Sequence, residues 1–149
     1  MRLALFQPDI PQNAGAALRL AACLGIGVDI IEPCGFVWSE PKMRRAGMDY
    51  LDSVDLKRHS GWAAYKDQVA GRIVLLTTAA ADRFDGFLFR ADDTLLLGRE
   101  SAGVPDDVHD AADARLRIPM IPGMRSLNVV NAAAIVLGEA LRQTKGFPT

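Results

Sequence analysis

The stretch Arg115–Arg142, RLRIPMIPGMRSLNVVNAAAIVLGEALR, decides how this chain folds. It reads as a strand, a tight apolar loop and a helix. Leu116–Ile118 is a short β-run. Pro119 and Pro122 remove backbone donors and fix φ, and Gly123 permits a sharp bend. Ser126 is suited to cap the helix that follows. Leu127, Val130, Ala134, Leu137 and Leu141 recur at helical spacing, and Val129, Ala133, Val136 and Ala140 line the opposite side. A helix that is apolar nearly all round is buried on more than one side. In a chain of 149 residues, another subunit is one source of the second burying surface. Backbone amides, Ser126 and Asn128 are left at the helix entrance, where a polar ligand could be held. On this stretch alone, the plainer reading is slightly favoured: a stiff connection whose Asn128 and Asn131 satisfy backbone groups.

The remaining chain sets that helix in an alternating pattern. Arg2–Phe6 is a first strand, followed by a turn punctuated by Pro8, Pro11 and Gly15. Asn13–Leu24 is rich in helix formers, with Gly25 as its stop. Val28–Ile31 is a second strand, and Ser39-Glu40-Pro41 opens a helix ending near Gly47. A weaker strand is expected at Ser53–Leu56, and a helix from a Ser60 cap to Val69. Ile73–Leu76 and Thr94–Leu97 are strong buried strands, and Asp106–Ala111 is a short helix. Continuous apolar strands alternating with helices predict a parallel sheet covered on both faces, an α/β/α sandwich.

Bulk composition narrows the function classes. The length fits one domain, 1–149, with room for one core. A net charge of −1 provides no global basic field, which argues against a generic nucleic-acid coat protein but leaves room for a local basic patch. Cys23 and Cys34 form no CxxC pair and have no His at ligand spacing, and both are expected to pack as small hydrophobes. Neither a disulfide scaffold nor a metal site is expected; His59 and His109 are far apart and near no cysteine. No signal-peptide pattern and no run long enough to span a membrane is found, so the expected compartment is the cytoplasm.

Ligands of open parallel sheets bind beyond the carboxyl ends of the strands, and three such ends are unusual here. Pro11-Gln12-Asn13-Ala14-Gly15 leads into a helix whose only charge is Arg19. A lone guanidinium there is read about equally as a structural ion pair and as an anion contact. Gly98-Arg99-Glu100-Ser101-Ala102-Gly103-Val104-Pro105 sets two glycines around a carboxylate after a buried strand. It is no P-loop, and no GxGxxG follows a strand, which weakens a nicotinamide or flavin reading. The third is the Ile118–Asn128 loop. Lys42, Arg44 and Arg45, and Lys57-Arg58-His59, are short basic clusters usually explained as a solvated helix face. Phosphate contact is the alternative, with Phe36, Trp38 and Tyr50 nearby for base stacking.

Together these three stretches resemble the three motifs of the SPOUT methyltransferases. Asn13, Gly15 and Arg19 match the first, Gly98–Pro105 the second, and Ile118-Pro119-Met120 with Ser126-Leu127-Asn128-Val129 the third. Ile31–Phe36 and Arg44–Tyr50 resemble the YibK/TrmL branch, and the resemblance covers nearly the whole chain. It implies an α/β sheet with a C-terminal deep trefoil knot, the knot and cofactor site mainly in residues 73–144, and a homodimer. It implies transfer of a methyl group from S-adenosylmethionine to the ribose 2′-hydroxyl of the wobble pyrimidine (cytidine or uridine 34) in a tRNA anticodon stem-loop. S-adenosylhomocysteine is the other product, and neither metal nor membrane is involved. By position, Leu76, Thr77, Gly98, Glu100, Ile118, Met120, Ser126 and Leu127 would hold the cofactor. Arg19, Ser126 and Asn128 would serve catalysis, and Asn13, Arg19, Lys42, Arg44 and Arg45 would bind RNA, with Lys57 and Arg58 as further candidates. Gly138 departs from relatives that carry a tyrosine in the last helix; a glycine there is expected to mark a close helix–helix approach. A SPOUT enzyme acting on another RNA site and a non-catalytic RNA-binding factor on this fold are the competing readings.

Overall fold

A computed structural model describes residues 1–47 and 49–149. Met48, within the Arg44–Tyr50 stretch of the family resemblance, lies outside the described residues. The strands are β1 (Arg2–Phe6), β2 (Gly27–Ile31), β3 (Leu56–His59), β4 (Ile73–Leu76), β5 (Asp82–Arg83), β6 (Thr94–Leu97) and β7 (Ala114–Arg117). The helices are α1 (Pro11–Leu24), α2 (Glu40–Gly47), α3 (Trp62–Gln68), α4 (Asp106–Ala111) and α5 (Val129–Thr144). The strands form one sheet in the order β3-β2-β1-β6-β4-β7-β5. Every pairing is parallel.

The expected layering is found. Strand residues alternate between two buried layers. Leu3, Leu5, Val28, Ile30, Leu95 and Leu97 pack with α1, with Met43 of α2 and with α5. Ala4, Phe6, Ile31, Leu75 and Leu96 pack with Tyr65 of α3 and Val108 of α4. Central strands buried on both faces explain the near-continuous apolar runs. The chain places β7 between β4 and β5, then returns so that α5 packs on β6 and α1.

Several boundaries and contacts differ from the sequence reading. Helix α1 begins at Pro11, whose missing N–H costs nothing at a first helical position, so Gly15 lies inside the helix. Gly25 ends it in the left-handed region, φ 67°. The cap of α5 is Asn128, not Ser126: its Oδ1 accepts from the N–H groups of Val130 at 2.9 Å and Asn131 at 3.3 Å. Helix α3 starts after Gly61 without a side-chain cap, so Ser60 does not serve. The weak strand lies at Leu56–His59 rather than Ser53–Leu56, because Tyr50–Ser53 forms a 3-10 turn. Lys57 and Arg58 therefore sit on an edge strand, not on a helix face. The segment Asp82–Arg83 pairs as β5, which its charged composition hides. Cys23 is exposed on the outward side of α1 instead of packing inside; Cys34 is half-buried. Helix α5 buries Ala133, Val136, Leu137, Ala140 and Leu141, but Ile135 on its outer side is 44% exposed. A Cβ at Gly138 would meet nothing within 4 Å, so within this chain the glycine marks no close approach.

Candidate functional site

The loops that follow β4, β6 and β7 enclose a cleft of about 510 Å³ at the carboxyl edge of the sheet. That is the size of an ordinary small-molecule site. Leu76 and Thr77 line it from the end of β4, and Gly98 and Glu100 from the loop after β6. Ile118, Met120, Ser126, Leu127 and Asn128 line it from the segment between β7 and α5, and Asn13 from α1. All eight positions expected around a cofactor thus meet in one place. Asn128 bridges the first and third motif stretches, its Nδ2 donating to Asn13 Oδ1 at 3.2 Å.

The loop after β6 is a tight clasp. Arg99 and Gly103 exchange two backbone hydrogen bonds of 2.9 Å, and Gly103 turns at φ 65°. A Cβ at Gly98 would stand 2.6 Å from the carbonyl carbon of Gly103. Glycine at 98 is therefore required by close backbone approach. The clasp presents main-chain groups and the Glu100 carboxylate to the cleft.

Sequence reasoning missed the residue that fixes this clasp. Asp9, just after β1, donates its backbone N–H to Glu100 Oε2 at 3.0 Å and accepts a short hydrogen bond from Ser101 Oγ. Arg99 Nε lies 3.8 Å from Asp9 Oδ2, while Asp9 Oδ1 and Arg99 Nε are buried without a hydrogen-bond partner. The carboxyl pair is driven apart. Asp9 is held low, chiefly by its hydrogen bond with Glu100 and then by Ser101. Glu100 is pushed above the usual glutamate range, chiefly by burial and then by Asp9. The available signal was the P-D-I-P run, a carboxylate at the end of a strand on the ligand-binding edge.

The expected RNA-binding residues lie outside the cleft. Arg19 stands on the exposed side of α1, its guanidinium 5.4 Å from the ring centroid of Tyr50. It is six residues beyond Asn13, about 9 Å along the helix axis, and does not line the cleft. Lys42 and Arg45 are exposed on α2. Arg44 is bound by Asp52 through two hydrogen bonds of 2.9 Å and by Glu40 at 3.0 Å. Its charge is compensated within the chain, which weakens it as a phosphate contact. Among the described residues no cluster of His, Cys, Asp and Glu is placed to hold a metal ion. No helix among them is long and apolar enough to cross a membrane.

Comparison with known proteins bears on this geometry. The model of the SpoU rRNA Methylase family matches residues 1–138. A tRNA (cytidine(34)-2′-O)-methyltransferase from Beijerinckia indica is 60% identical, over 95% of this chain and 90% of that protein. A structure described as giving insight into 2′-OH methylation of C/U34 on tRNA superposes with a TM-score of 0.90 at 40% identity, covering 95% of this chain and 94% of that one. The SpoU methyltransferase AviRb from Streptomyces viridochromogenes, solved with AdoMet, superposes with a TM-score of 0.86 at 27% identity, over 96% of this chain and 60% of its own.

Proposed function

The chain belongs to the SpoU rRNA methylase family, and from that premise we propose that it methylates the ribose 2′-hydroxyl of the wobble pyrimidine, C34 or U34, in a tRNA anticodon stem-loop, with S-adenosylmethionine as donor. One observation carries this reading: three stretches far apart in sequence, around Asn13, Gly98–Gly103 and Ile118–Asn128, converge on a single cleft. The 60% identical relative carrying that activity supports the substrate.

The cleft suits the donor. Its walls combine apolar side chains with main-chain groups of a glycine clasp, and its volume fits a nucleoside-sized ligand. S-adenosylmethionine supplies, when bound, a methyl group already activated on a sulfonium. The protein's task is then mainly to orient a ribose oxygen in line with that methyl. Leu76, Thr77, Gly98, Ile118, Met120 and Leu127 hold the donor. Asn13, Ser126 and Asn128 position polar groups at the reacting end. Glu100, set high by burial, is the cleft-lining carboxyl able to exchange a proton. A guanidinium is a poor base; outside the cleft, Arg19 holds an RNA phosphate or the ribose. Lys42 and Arg45 supply further phosphate contacts.

The same reading takes the chain as a single domain and a homodimer, with a trefoil knot mainly in residues 73–144, acting in the cytoplasm. Ile121, Met124, Leu127 and Ile135 are 75%, 65%, 41% and 44% exposed along one loop and the outer side of α5. Apolar exposure of that extent suits burial by a second copy. The test is an anticodon stem-loop carrying either a hydroxyl or a hydrogen at the 2′ position of nucleotide 34. Methyl transfer to the first and none to the second is expected. Equal transfer to both places the methyl elsewhere and overturns the reading.

A further inference from the structure

The carboxyl edge carries a second feature, three strands away from the cleft. Leu97 at the end of β6 is in register with Leu5, Leu5 with Ile30, and Ile30 with Arg58. Three strand spacings put Arg58 about 14 Å from the cleft's edge. The loop between β2 and α2 spans that gap. Gly35 donates its N–H to Pro8 O at 2.9 Å, and a Cβ there would stand 2.5 Å from Asp9 Cβ. The loop thus leans on the residue that fixes the clasp, and it carries Phe36 and Trp38, both half-buried and packed against the core.

These side chains form a layered stack. Phe36 and Trp38 lie with centroids 6.4 Å apart and planes inclined by 23°. The Arg58 guanidinium lies over the Trp38 ring, 4.9 Å from its centroid. Arg58 also donates a short hydrogen bond to Glu32. Its charge is therefore compensated and its underside covered, yet the side chain remains 43% exposed. What it offers outward is a flat, delocalised plane rather than a free positive charge. Lys57, its neighbour on β3, points to the opposite face of the sheet. A guanidinium so supported suits the face of a nucleobase better than a phosphate.

We propose that Arg58, backed by Trp38 and held by Glu32, is a stacking site for one unpaired nucleobase of the RNA substrate, a neighbour in the loop of the nucleotide whose ribose enters the cleft. This rests on the functional reading above. Stacking tolerates any base, so the site fixes the path of the strand rather than its sequence.

The test couples the protein to single loop positions. Binding of an anticodon stem-loop is measured for the unaltered protein, Arg58→Ala and Arg58→Lys, with each loop nucleotide in turn made abasic. One abasic position is expected to weaken binding to the unaltered protein by about tenfold. Arg58→Ala is expected to weaken binding of the intact loop about as much, and to lose the penalty at that one position. Arg58→Lys keeps the charge and loses the plane, and is expected to behave like Arg58→Ala. S-adenosylmethionine affinity should not change, which separates a lost contact from a lost fold. Additive penalties, or full binding by Arg58→Lys, overturn the proposal. If the unaltered protein binds the loop but does not methylate it, the functional reading fails while the binding test of Arg58 stands. If it does not bind the loop, both fail.

Discussion

The two edges of the sheet handle buried charge in opposite ways. Toward the amino edge, Arg2 donates to Asp29 at 2.6 Å and also to Asp55, and Asp29, midway along β2, meets through its Oδ1 the Nε2 of His59, the last residue of β3, at 2.7 Å. Arg72 makes two hydrogen bonds of 2.8 Å with Asp93, which is wholly buried. These ion pairs close on themselves, and the one polar atom beside them buried without a partner among the described residues is the uncharged Tyr65 hydroxyl. At the carboxyl edge, Asp9 Oδ1 and Arg99 Nε are left without partners, and Glu100 is pushed up by burial beside a cleft. Charges that complete one another inside the chain serve the fold; charges left incomplete beside a cavity await a ligand.

Mutations on the two edges should therefore separate stability from activity. Asp29→Ala strips Arg2 and His59 of a shared, buried partner. It should cost about 3 kcal/mol, read as a lowered urea midpoint, while methyl transfer per folded molecule stays unchanged. Arg19→Ala should do the reverse. Loss of methyl transfer is expected with S-adenosylmethionine affinity retained. Loss of cofactor binding instead would assign Arg19 a structural role.

Gly98→Ala attacks the clasp itself. Its Cβ would meet the Gly103 backbone at 2.6 Å, and backbone cannot rotate away. Overpacking of this kind costs about 1–3 kcal/mol; if that strain falls on the bound state, S-adenosylmethionine should bind about 5- to 150-fold more weakly by calorimetry. Glu100→Gln tests the tuned carboxyl. The folded protein holds Glu100 above its ordinary value, so it binds more protons there than the unfolded chain. Stability from this group therefore falls as pH rises from the ordinary glutamate value through the raised one. Asp9 acts oppositely: its contribution is present above the usual aspartate value and is lost as pH falls from there through the depressed one, about 2. Glu100→Gln should flatten the first slope in denaturation across acidic to neutral pH, leave the protein no less stable at neutrality, and slow transfer. The smallest effect is expected from Gly138→Ala. With open space around it, alanine should raise monomer stability by up to about 1 kcal/mol. A dimer weakened by the same change would show that a second copy packs there.

The long apolar strands and α1 were legible because their burial is written in local pattern. Four other features were not, each for a physical reason. Strand β3 has one apolar residue among Leu56-Lys57-Arg58-His59, and its polar groups find partners 26 and 30 residues away in Glu32 and Asp29. Strand β5 is two charged residues that extend by pairing with β7. The cap of α5 moved from Ser126 to Asn128 because a two-residue shift leaves the apolar spacing of the helix almost unchanged. Within the cleft, motif positions were found by resemblance, whereas Asp9 belonged to no motif and becomes visible only when β1 and β6 lie side by side.

The central claim is that the carboxyl-edge cleft carries a methyl group to one ribose. The most direct measurement is incorporation of labelled methyl from S-adenosylmethionine into total tRNA of a strain lacking the gene, with the modified nucleotide then mapped by nuclease fragments. A 2′-O-methyl group at the wobble pyrimidine is the predicted result. Incorporation at any other nucleotide, or none from protein that binds the cofactor, would contradict it.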